Sequence, residues 1–347
     1  MGYKRFILLV LASLFMVQGV VGVSAQSADS TFSLQVSPSP LVLTLKPGET
    51  RDVDLKIRNA GTQTEKLKIE LKEFAVKEDE SLELLDTEPV LLSSWIKVKE
   101  PVFNVDAGQW YTQNIHMQVP EDAGFSYSFT FVISRNIPEK KVDGGAAIQG
   151  SVAVFALLGI DREGAKRQFN VETVSSSRRV YEFLPANFSV KIKNTGNTIV
   201  QPIGNVFIQR KGASQPITVL PLNAAGSYIL PDQTRTIKTE WNDGFPRYEQ
   251  VKVADNAEAK QQLKWNWNDA EQFRFGRYQA VVVAVYNDGE RDVPINATIE
   301  FWVIPWKLLA LLTILGVVVL VGIIAIVRRL IRTTKHIQDH RHTRGNE

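Results

Sequence analysis

The chain has 347 residues, 44% hydrophobic and 22% charged, which is enough to bury more than one core and excludes disorder throughout. It contains no cysteine, which excludes a disulfide framework, a thiolate metal site and a cysteine nucleophile. The formal charge is +3, and its distribution along the chain decides what it means.

Residues 1–25 read as a signal peptide. Lys4 and Arg5 precede an apolar, uncharged stretch from Phe6 to Val23, and Val23-Ser24-Ala25 supplies the small residues of a cleavage site before Gln26. Near the other end, Leu308 to Val327 is a run of 20 residues in which only Thr313 is polar. As a helix it spans about 30 Å, the thickness of a hydrocarbon core, so residues 305–327 are expected to cross a membrane. Trp302 and Trp306 before it, and Arg328, Arg329 and Arg332 after it, are the expected interface anchors. The positive-inside rule then places residues 26–304 outside the cell membrane and the basic tail, 328–347, in the cytoplasm. The two ends and Lys307 together carry +7 of formal charge, which leaves residues 26–306 at −4. The basic balance therefore reports membrane orientation and gives no reason to expect nucleic acid.

Between these ends the pattern has period two. Arg51 to Arg58 alternates with Val53, Leu55 and Ile57 on one face; Lys66 to Lys72, Ile115 to Val119 and Tyr127 to Phe131 alternate likewise. Pro47-Gly48 and Asn59-Ala60-Gly61 supply early turns. Asn287-Asp288-Gly289-Glu290 leads into a strand with Val293, Ile295, Ala297, Ile299, Phe301 and Val303 on one face. Half-wet strands imply antiparallel sheets, and the fold class expected is all-β. No convincing amphipathic helix stands outside the membrane span; Asp255 to Lys264 reads equally as helix or loop. Leu55-Lys56-Ile57-Arg58-Asn59-Ala60-Gly61 is echoed by Val190-Lys191-Ile192-Lys193-Asn194-Thr195-Gly196. The echo divides the exported part into two tandem immunoglobulin-like β-sandwiches, 26–163 and 164–304, followed by one transmembrane α-helix.

The order Pro47-Gly48-Glu49, Asn59-Ala60-Gly61, Ser94-Trp95-Ile96-Lys97-Val98, Ala107-Gly108-Gln109 and Val119-Pro120-Glu121-Asp122-Ala123-Gly124-Phe125 resembles the N-terminal domain of the Gram-positive surface proteins that bind WxL proteins and peptidoglycan. Gly276-Arg277-Tyr278-Gln279 and Glu300-Phe301-Trp302-Val303-Ile304 resemble the close of that family's second domain. The resemblance implies a binding or scaffolding role at the cell surface, without catalysis, toward cell-wall polymer or another surface protein.

The residues themselves offer little chemistry. His116 is the one histidine outside the C-terminal tail, and it alternates with Ile115 and Met117, which puts it on a wet face. Ser94-x-x-Lys97 matches the spelling of a serine acyl-enzyme motif, but its surroundings read as extended, and that chemistry needs a helical turn. Nothing indicates a catalytic residue, a cofactor or a metal. Carboxylate pairs leave a membrane-anchored glycosidase as a remote alternative, and a non-binding structural spacer as a closer one. The aromatic run containing Trp241, Trp265 and Trp267 is either second-domain core or an exposed ligand contact.

Overall fold

The computed structural model describes residues 32–77, 79–136, 150–251, 260–288 and 291–343, with side chains to residue 329. The expected signal peptide lies outside the described residues. The chain is mostly β, with one long apolar helix at its C-terminal side.

The strands of the first half are β1 (Leu34–Ser37), β2 (Leu41–Leu45), β3 (Thr50–Asn59), β4 (Glu65–Lys72), β5 (Phe74–Val76), β6 (Leu82–Leu84), β7 (Ile96–Val98), β8 (Val102–Val105), β9 (Trp110–Gln118), β10 (Ser126–Arg135) and β11 (Ser151–Ile160). One sheet runs β1-β3-β9-β7 and the other β2-β11-β10-β4-β8, while β5 and β6 form a separate hairpin. The alternation in β3 turns Leu55 and Ile57 inward, where they meet Leu67 and Ile69 of β4 and Phe129 and Phe131 of β10 in one buried cluster. A short helix, α1 (Val90–Trp95), is too brief to show a helical period in sequence; it buries Leu92 and Trp95.

The second half holds β12 (Phe169–Ser176), β13 (Val180–Tyr181), β14 (Ala186–Asn194), β15 (Ile203–Arg210), β16 (Thr218–Pro221), β17 (Thr234–Trp241), β18 (Arg247–Val251), β19 (Lys260–Lys264), β20 (Gly276–Asn287) and β21 (Asp292–Val303). Its sheets run β12-β14-β17 and β13-β21-β20-β15-β16. Phe188, Val190 and Ile192 from β14 pack with Val206, Tyr278, Val282 and Phe301 from the facing sheet in a second buried cluster. Where the sequence left Asp255–Lys264 as helix or loop, its described part, Lys260–Lys264, is a strand paired to β18.

The repeated Asn-x-Gly motif performs the same task twice. Asn59 is fully buried; its Nδ2 donates to the carbonyls of Gln63 (2.7 Å) and Val105 (2.9 Å), and its Oδ1 accepts from Gly61 N–H at 2.9 Å. Asn194 is equally buried, with Nδ2 donating to Thr198 (2.7 Å) and Ile229 (2.9 Å) and Oδ1 accepting from Gly196 N–H at 2.9 Å. Contacts also link the two halves. The Glu80 carboxylate accepts from Thr236 N–H at 2.8 and 2.9 Å, and Ser126 Oγ donates to the Asn197 carbonyl at 3.2 Å.

Two residues after β21, helix α2 runs from Trp306 to Thr343. Its stretch Trp306–Arg329 is the one helix among the described residues long and apolar enough to cross a membrane. The helix continues through the segment expected as a separate tail, and Arg332 falls in that continuation.

Removing either amide takes one donor from each of two carbonyls, although the Ile229 carbonyl keeps Val200 N–H at 3.1 Å, so Asn59→Ala and Asn194→Ala should each destabilise the chain by about 2 kcal/mol. Asn→Asp, which keeps the acceptor and loses both donors, should be no better. Urea denaturation of the detergent-solubilised full chain measures both; a loss under about 1 kcal/mol would deny these amides their role.

Candidate interaction surface at the end of the second half

Strand β17 ends at Trp241 and β20 begins at Gly276, and between them the chain makes an excursion containing the β18–β19 hairpin and a 3₁₀ turn, Trp267–Gln272. Its two ends are clamped together. Arg274 Nη2 lies 2.9 Å from both carboxylate oxygens of Asp243, and Arg274 Nε donates to the Asp243 carbonyl at 2.9 Å. Phe245 N–H donates to the Gln272 carbonyl at 3.0 Å.

The three tryptophans separate here. Trp241 is fully buried against Tyr278 (5.2 Å) and Phe301 (5.9 Å), so it belongs to the core and cannot touch a ligand. Its Nε1 has no hydrogen-bond partner among the described residues. Trp265 and Trp267 are 43% and 71% exposed. They do not share a strand face; they follow β19 and enter the 3₁₀ turn, and their rings stack at 5.9 Å. Phe245 supports both, at 5.6 and 5.2 Å. Phe183 joins Trp265 (6.4 Å) to Tyr248 (6.2 Å). Phe273 and Phe275, 44% and 47% exposed, extend the aromatic surface. Sequence reasoning missed Phe183, Phe245 and Tyr248: Phe183 comes from outside the tryptophan run, and Phe245 and Tyr248 lie 17 or more residues before Trp265, so only the fold brings them to it.

Several charges on this end are paired. Glu249 accepts from Lys264 Nζ (2.9 Å) and Arg247 Nε (3.0 Å), and these bonds, Lys264 first, hold its carboxyl below the usual range. Glu182 Oε2 accepts from Tyr248 Oη at 3.0 Å and from Lys307 Nζ, in the first turn of α2, at 2.7 Å. Burial, and next the Glu182 carboxylate, raise the Tyr248 phenol above its ordinary pKa. The expected interface anchors flank the helix start. Trp302 lies under the Arg277 guanidinium at 5.7 Å, and Lys307 stands 5.4 Å from the Trp306 ring. Arg328 and Arg329 lie at the far end of the apolar stretch.

The other singled-out residues form no catalytic arrangement. His116 Nδ1 lies 2.8 Å from Asp52 Oδ1 on an exposed sheet face. Ser94 stands in α1, not in extended chain, but Lys97 lies beyond it on β7. Ser94 Oγ donates to the Leu91 carbonyl, and Lys97 Nζ to the Ser93 carbonyl. No group of three metal-ligating side chains occurs among the described residues.

No family model matches the chain, and no curated protein matches it. Among solved structures, the Pseudomonas aeruginosa CupB2 chaperone is 11% identical, covering 78% of this chain and 100% of its own, with a TM-score of 0.34. The E. coli chaperone DraB is 13% identical over 79% and 97%, with a TM-score of 0.32. The YadV chaperone is 12% identical over 77% and 99%, with a TM-score of 0.33. Overlap this shallow leaves the fold to be read from the chain's own sheets and cores.

Trp241→Ala should cost about 3–5 kcal/mol, as a large core truncation. Trp241→Phe should cost clearly less, because the lost N–H has no partner. Trp267→Ala should fall within about 1 kcal/mol of the parent, as an exposed substitution. Equilibrium unfolding of the three variants orders them; equal losses at Trp241 and Trp267 would contradict this division.

Proposed function

We propose that the chain is a membrane-anchored binding or scaffolding protein of the cell surface. Its sandwiches stand outside and engage cell-wall polymer or another surface protein, and the end of α2 lies in the cytoplasm. The observation that carries this reading is the attachment of two separately cored groups of sheets to a single apolar helix, two residues after the last strand. The arginines after the apolar stretch support the orientation. The resemblance to WxL- and peptidoglycan-binding surface proteins supports the class of partner. Satisfied turns and paired charges, with no assembled nucleophile or metal cluster among the described residues, favour binding over catalysis.

The contact of Glu80 with the Thr236 backbone favours a second reading, a structural spacer that holds the two sandwiches in a fixed relation. An apolar cleft of about 250 Å³ beside it, lined by Phe74, Phe155 and Leu157 on one side and Tyr228 and Ile229 on the other, leaves that junction a surface of its own.

Two measurements test the proposal. In a chain without native cysteine, Thr62→Cys should react with a membrane-impermeant maleimide on intact cells, and Gln338→Cys only after permeabilisation; the reverse pattern would overturn the orientation. Full-length protein in detergent should co-sediment with isolated peptidoglycan sacculi or cross-link to a discrete surface protein in native membranes. Failure of both would leave the spacer.

A further inference from the structure

The exposed aromatic cluster and the membrane helix occupy the same end of the second sandwich. Strand β21 finishes there: Val303 pairs with Gly276 and Trp302 with Arg277, so Phe275 precedes the residue opposite the last strand position. The same end carries the start of β14, where Ala186 pairs with Trp241. A continuous path of contacts then ties the cluster to the helix. Lys307 in α2 bonds Glu182, whose neighbour in sequence, Phe183, meets Trp265, which stacks on Trp267.

We infer that Trp265, Trp267, Phe273 and Phe275 bed into the headgroup–acyl boundary of the membrane that α2 crosses, and hold the second sandwich against the bilayer. The inference rests on the reading of α2 as a membrane anchor. Four large aromatic side chains exposed within eleven residues are costly in water, and indole rings partition to this boundary because they are apolar in body and polar at the N–H. Their attachment beside the helix start means that the bilayer is within reach without any rearrangement of the sandwich. The local acids suit such a surface: Asp243, Glu249 and Glu182 are each paired to a cation, so little uncompensated negative charge approaches the headgroups. Asp269, which accepts from Asn266 Nδ2 at 2.8 Å, and the exposed Glu271 lie on the 3₁₀ turn itself. They limit the depth to the headgroup level and make anionic lipid unnecessary. Trp302, 41% exposed, adds a further exposed ring at the end of β21.

Site-directed labelling of the full chain in zwitterionic phosphatidylcholine vesicles tests this. Single cysteines are placed at Asn268 in the 3₁₀ turn, at Leu315 in the apolar stretch and at Thr62 in the first sandwich, each carrying a nitroxide. The ratio of oxygen to nickel-chelate collision should be high at 315, water-like at 62, and intermediate at 268. In Trp265→Ala/Trp267→Ala the value at 268 should return to that at 62 while 315 is unchanged. Water-like accessibility at 268 with 315 in lipid overturns the inference and leaves the anchor standing. Water-like accessibility at 315 overturns the anchor and the inference together. Loss of co-sedimentation with sacculi in the double variant, with 268 in water throughout, would assign the rings to a ligand instead.

Discussion

A buried primary amide has four hydrogen-bonding positions and no water to fall back on, and Asn59 and Asn194 each fill three of theirs within the protein. In each half of the chain the asparagine is the last residue of a strand. One donor reaches the loop that follows, the other crosses to a distant segment (Val105 or Ile229), and the oxygen fixes the glycine that makes the turn. Strand end, turn and a remote segment are thus tied at one point. Because an unmade bond in such a place costs far more than a made one contributes, this arrangement selects one register for β3 and one for β14. The hydrophobic clusters pack on frames whose registers are set in this way.

The same economy shapes the opposite end of the second half's sheets. There the excursion between β17 and β20 is closed by Arg274 and Asp243, and Glu249 pairs within it with Arg247 and Lys264. Polar groups are settled locally while the large aromatic rings are left outside. An inward Trp241 and outward Trp265 and Trp267 are therefore products of one clamp. It closes the core over the first ring and presents the other two.

How much of this was legible in sequence follows from periodicity. The half-wet strands β3, β4, β9 and β21 show alternation because one face meets water, whereas β10, which alternates in sequence, is buried on both faces, Thr130 and Ser134 included; the echo around Asn59 and Asn194 was visible because the two motifs share strand pattern and turn together. The six-residue α1 carries too few turns to reveal a period. The fate of the tryptophans was partly visible. Ile237, Thr239 and Trp241 alternate with Lys238 and Glu240, which marks Trp241 as inward-facing. Trp265 and Trp267 also sit two apart, yet they lie outside the strand, and the rings that support them, Phe183 and Phe245, come from other segments. That information is tertiary, and no local pattern holds it.

Only Ile304 and Pro305 separate β21 from α2, and both sides of the joint are bonded: Ile304 N–H donates to the Tyr181 carbonyl at 2.8 Å, and Trp306 N–H to the Ile304 carbonyl at 2.7 Å. A flexible tether of about twenty residues would let an ectodomain roam over roughly 25 Å. This joint permits no such wandering, so the sandwich behaves as a lever fixed to its axle and not as a bead on a string. A load applied to the sheets reaches the helix as tilt or torque.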